Sequence, residues 1–143
     1  MQERTLQAGN HITLLHLPQK KYFHLWLLAA DGLKGQEAFR SEIRRVVQYC
    51  LAHQAKGLLI NIKDFQANIP LSLKNWLLQE AFFYLRRSSL KRIAIVFGAN
   101  VHHQVLFEEI LGNKTERDFS VASFTSEPEA IVWCQQSNFR KLA

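Results

Sequence analysis

The chain has 143 residues, 48% hydrophobic and 21% charged, a composition that excludes disorder and fits one globular domain with its own core. Its net charge of +6 invites a nucleic-acid or anionic-membrane role, but the basic residues are scattered as pairs (Lys20-Lys21, Arg44-Arg45, Arg86-Arg87, Lys91-Arg92, Arg140-Lys141). Phosphate binders gather such charge on one element with aromatics or amides between, so nucleic acid is not an expected partner.

No apolar run reaches the roughly 18 residues that cross a bilayer, and Met1-Gln-Glu-Arg-Thr lacks the apolar segment of a signal peptide. The expectation is a cytoplasmic protein that does not span a membrane. Cys50 and Cys134 are far apart, neither lies in a CxxC motif, and both fall on the predicted inner faces of helices, where a thiol packs as a small hydrophobe. The six histidines are not spaced as ligand sets, so neither a metal nor a cofactor is expected.

In chain order, Arg4 to Gln7 and His11 to Leu17 read as strands around the turn Ala8-Gly9-Asn10. A second turn at Pro18 to Lys21 leads to an aromatic, almost continuously apolar strand from Tyr22 to Leu28. From Gly35 the period lengthens: Phe39, Ile43, Val46, Val47, Cys50 and Leu51 make the inner stripe of a helix whose Arg40, Glu42, Arg44 and Arg45 face water. That helix ends near Ala55-Lys56-Gly57. Leu58 to Ile62 is a short apolar strand suited to the sheet centre.

After a loop holding Asp64 and Pro70, Ser72 can cap a second helix running to about Arg87. Ile93 to Phe97 is a strand, Val101 to Leu111 a helix, and Val121 to Phe124 a strand. Ser126 and Glu129 stand at capping-box spacing before a last helix, Glu127 to Gln136. The order β-β-β-α-β-α-β-α-β-α predicts an α/β fold: a mixed sheet, antiparallel in its N-terminal strands and parallel afterwards, with helices on both faces. With no repeat, low-complexity tract or linker, residues 1–143 read as one domain.

Leu58-Leu-Ile-Asn-Ile-Lys-Asp64, the loop with Pro70 and Ser72, a helix containing Trp76, and Lys91-Arg-Ile-Ala-Ile-Val-Phe97 together resemble the SpoIIAA-like group of STAS domains, in particular small stand-alone bacterial proteins mostly without assigned function. The likeness runs from about His11 to Gln136. It implies a regulatory or protein-docking module, and it implies that Ser72 stands where some members carry a phosphorylated serine. The antagonist motif reads Asp-Ser-Ser-Gly there; this chain reads Ile69-Pro-Leu-Ser72-Leu-Lys, and a plain helix cap is the reading its own residues favour.

Ligands of open α/β sheets gather outside the carboxyl ends of the strands, near a reversal of strand order. The predicted architecture sends Asp31, Asp64, Asn68, Ser72, Asn100, His102 and His103 there. A Ser72, His102 or His103, Asp64 triad can be drawn, but no GxSxG elbow exposes the serine and no glycine-rich loop supplies an oxyanion hole. No catalytic residue is therefore assigned, and the chain is expected not to be an enzyme. The second helix carries more weight. Leu73, Trp76, Leu77, Ala81, Tyr84 and Leu85 form its inner stripe, while Leu78, Phe82 and Phe83 fall outside it. A helix apolar over most of its circumference must bury more than one face. Leu78, Phe82, Phe83 and Trp76 are therefore the expected interaction surface, for a homodimer or another protein partner; a small apolar or lipid-like ligand is the alternative occupant.

Overall fold

The computed structural model describes residues 4–8, 12–17, 21–27, 36–65, 69–81, 83–85, 88–99, 101–111 and 120–135. They form the expected α/β architecture. Strands β1 (Arg4–Ala8), β2 (Ile12–Leu17) and β3 (Tyr22–Leu27) form an antiparallel meander. Strands β4 (Gly57–Asn61), β5 (Arg92–Val96) and β6 (Ser120–Phe124) then add in parallel to β3, so the six-stranded sheet has the order β1-β2-β3-β4-β5-β6.

Strand order equal to chain order has a consequence for the helices. Successive right-handed crossovers that all step in one direction place their helices on one face. Helix α1 (Gln36–Ala52), helix α2 (Leu71–Trp76), the π-helical segment Leu77–Ala81 that continues it, and helix α3 (Val101–Leu111) all feed one core. The alternate residues of the same strands, Tyr22, Leu59, Ala94 and Val96, meet Ala130 and Cys134 of helix α4 (Glu127–Gln135) on the opposite face. Leu58 and Ile60 point one way and Leu59 the other, all fully buried, which is why β4 reads as an unbroken apolar run.

The second helix departs from expectation. It begins at Leu71 with Pro70 at the cap position and no side-chain cap, so Ser72 is an exposed residue inside the first turn and not the cap. Beyond Trp76 the backbone widens into the π segment. A π turn accommodates one extra residue, and the side chains after it lag the 3.6-residue phase by about one position. Leu73, Trp76, Leu77, Ala81 and Leu85 are buried as expected, while Glu80 faces outward and Tyr84, predicted on the inner stripe, does not join them. Tyr84 is 57% exposed, and Leu51, predicted at the inner edge of α1, is 41% exposed. At the start of α4 the Ser126 half of the capping box forms: the Glu129 backbone N–H donates to Ser126 Oγ at 3.4 Å.

Candidate functional site

Two neighbouring helices on the larger face frame an open cleft of about 340 Å³. Its α1 wall carries Arg44, Val47, Gln48 and Leu51, spaced by three and four residues along one side of the helix. The opposite wall is the α2–π helix, with Trp76, Glu80 and Ala81, and Tyr84 in the turn that follows it. Glu80 and Tyr84 face this cleft, away from the core. Trp76 is buried as its floor; the Arg40 and Arg44 guanidiniums lie 5.1 and 5.3 Å from its ring centroid, close enough for cation–π attraction.

Of the residues expected from sequence as an interaction surface, one belongs to this cleft. Trp76 does line the cleft. Leu78 and Phe83 are half-buried and do not line it, Phe83 being packed edge-on to Tyr84 with ring centroids 5.2 Å apart; Phe82 lies outside the described residues. The apolar side chains offered to solvent there are Leu51 and Tyr84 instead.

Among the described residues, the set predicted for a strand-end crevice is not drawn together by hydrogen bonds. Strands β3 to β6 add in chain order, so the parallel part of the sheet has no reversal to open one. Asp31, Asn68 and Asn100 lie outside the described residues. Asp64, Ser72 and His102 are exposed, and no hydrogen bond joins them to one another. His103, expected among the crevice residues, is buried edge-on against Phe65 with ring centroids 5.1 Å apart.

What does gather at the carboxyl ends of the strands is a polar cluster on the opposite face, under the first turn of α4. Asn61, in register with Trp26 and Val96, donates from Nδ2 to Glu127 Oε2 at 2.6 Å and accepts the Lys63 backbone N–H at 3.0 Å. His24 stacks on Trp26, with ring centroids 3.7 Å apart and planes 17° from parallel, and brings Nε2 to 3.0 Å from the same Glu127 oxygen, though without hydrogen-bond alignment. Burial holds the His24 imidazole below its ordinary value of 6.5, against the upward pull of the Glu127 carboxylate. The Tyr22 hydroxyl is buried nearby without a hydrogen-bond partner among the described residues, and burial first, then Cys134 and Glu127, pushes its titration far up.

Sequence reasoning missed this cluster, because nothing local links His24, Asn61 and Glu127; the β3–β4 register and the seating of α4 bring them together. The cleft was half legible. Arg40 and Arg44 stand four apart on one helix and Trp76 is conspicuous, but the exposure of Tyr84 has no composition signal. Among the described residues no group of three histidines, cysteines or carboxylates could hold a metal ion, and no helix is long and apolar enough to cross a membrane. Comparison of the chain with protein-family models, with curated proteins and with solved structures finds no match.

Proposed function

We propose that this chain is a non-enzymatic docking module, STAS-like in build, whose working surface is the cleft between α1 and the α2–π helix. The observation that carries the reading is the pairing of a buried Trp76 floor with Leu51 and Tyr84 left exposed on facing walls. Apolar surface of that kind costs about 25 cal/mol per Å² while it stays in water, and a contiguous cleft of it gains by being covered. The order of strands and helices matches what the STAS resemblance leads one to expect, which supports a regulatory or docking role at the level of fold alone.

Affinity capture from the source cells tests this, comparing the wild type with Tyr84→Glu after far-UV circular dichroism has established an unchanged fold. A partner retained by the first and lost by the second supports the cleft. Identical retention by both proteins rejects it. A second reading, a small apolar or lipid-like ligand, is favoured by the cleft volume, which falls within the ~300–1,000 Å³ usual for ligand sites. Native mass spectrometry decides that one: a bound small molecule displaced by Tyr84→Glu supports it, and a bare chain mass opposes it.

A further inference from the structure

Three lysines far apart in sequence stand side by side in the fold. Lys21, Lys56 and Lys91 each immediately precede a parallel strand, β3, β4 and β5. Their backbones are joined in a row: the Lys56 N–H donates to the Lys21 carbonyl at 2.7 Å and the Lys91 N–H to the Lys56 carbonyl at 2.8 Å. Neighbouring strands lie about 4.8 Å apart, so three cationic side chains spring from about 10 Å of one sheet edge. All three are exposed, and none has an ion-pair partner among the described residues, whose ion pairs are His24–Glu127 and Lys74–Glu109.

Little nearby offsets this charge. Glu37, Asp64, Glu127 and Glu129 stand toward the opposite edge, in the first turns of α1 and α4 or just past β4. Residues 112–119, which lead into β6, bring no net charge, with Lys114 and Arg117 against Glu116 and Asp118. Like charges side by side on neighbouring strands repel, so an anionic partner is favoured there.

The surroundings of the row decide the class of that partner. Helix α1 ends at Ala52 and leaves Leu51 exposed; the last turn of α4 sits over Gly57 and Arg92 and leaves Val132 exposed. Nucleic acid is read by an element laid in a groove or by rings on which bases stack, and no ring stands between the lysines. Protein interfaces are poor in lysine at their cores. An anionic lipid surface takes both features: each lysine at its headgroups strengthens binding roughly five-fold, and apolar side chains enter the acyl boundary. We infer that this edge docks peripherally on an anionic membrane surface, with Lys21, Lys56 and Lys91 on the headgroup phosphates and Leu51 and Val132 at the acyl boundary.

Flotation with vesicles tests this, using phosphatidylcholine alone and equimolar phosphatidylcholine and phosphatidylglycerol. The wild type is expected to float with the anionic vesicles only, and to be released at about 1 M salt, where the screening length falls to about 3 Å. Lys56→Gln/Lys91→Gln is expected to weaken binding on the order of 25-fold. Arg45→Gln/Lys63→Gln removes equal charge from exposed positions outside the row and is expected to cost less than about five-fold. Val132→Gln is expected to weaken binding several-fold. Every substituted side chain is exposed, and circular dichroism on each variant separates misfolding from lost contact. A wild type that ignores anionic vesicles overturns the inference. So do equal losses from the two double variants, or full binding by Val132→Gln. If the wild type ignores vesicles but binds a random-sequence DNA duplex, and Lys56→Gln/Lys91→Gln does not, the row serves nucleic acid and the lipid surface is wrong.

Discussion

Gly57 in β4 faces the last helix so closely that a β-carbon placed on it would come 2.7 Å from the carbonyl oxygen of Cys134 and 3.2 Å from its sulfur. Real β-carbons do not approach backbone that closely, so the seating of α4 on the sheet depends on a missing side chain. Gly57→Ala is expected to destabilise the chain by about 1–3 kcal/mol in urea denaturation, the range for overpacking a tight contact. Because the tightest contact is to backbone, Cys134→Ala added to Gly57→Ala should recover little of the loss. Full recovery would mean the sulfur, not the helix backbone, sets the spacing.

The buried His24 imidazole gives a pH dependence with a definite sign. Its folded-state pKa lies below the ordinary 6.5 that it regains on unfolding, so the unfolded chain binds the extra proton more readily. This contribution is fully present above about pH 6.5 and is lost as pH falls below that value toward the folded pKa. Wild-type Tm should drop on acidification through that window, and His24→Phe, which keeps a ring to stack on Trp26, should show a flatter profile there. Since Glu127 pulls the pKa upward, Glu127→Gln should move the His24 imidazole resonances to titrate at still lower pH.

Trp76 should carry more stability than either arginine laid over it. Trp76→Ala is expected to cost about 3–5 kcal/mol, the usual penalty for emptying a large aromatic site. Arg40→Ala and Arg44→Ala each remove one guanidinium from the ring and should cost only ~0.5–1 kcal/mol. In a double-mutant cycle the arginine loss should shrink once Trp76 is gone; strictly additive losses would show that the guanidiniums contribute through something other than the ring.

Both cysteines should be inert in the native state. Burial pushes the Cys50 and Cys134 thiols up to about 12, leaving almost no thiolate at neutral pH. A thiol reagent at pH 8 is expected to label neither until denaturant is added, and rapid labelling of either one in the folded protein would contradict its placement in the core.

Most of the architecture was legible from the residues because each element announces itself locally. The aromatic run at Tyr22, the helical period from Phe39 to Cys50, the apolar pentad around Leu59 and the Ser126–Glu129 cap all depend on neighbours within a few positions. Ser72 failed as a cap for a related reason: Pro70, two residues earlier, starts the helix with its fixed φ, and local signals locate helix ends to within a turn at best.

What the chain order determined by itself is the α/β class, the division into an antiparallel and a parallel half, and the burial of both cysteines, because periodicity and turn chemistry act over short stretches of backbone. Only the tertiary structure decided that the strands add in sequence with, among the described residues, one helix on the far face, that Tyr84 stays out of the core, and that His24, Asn61 and Glu127 share one corner. Those outcomes depend on which distant surfaces pack together, and a packing choice among distant residues leaves no mark on the local pattern of any one of them.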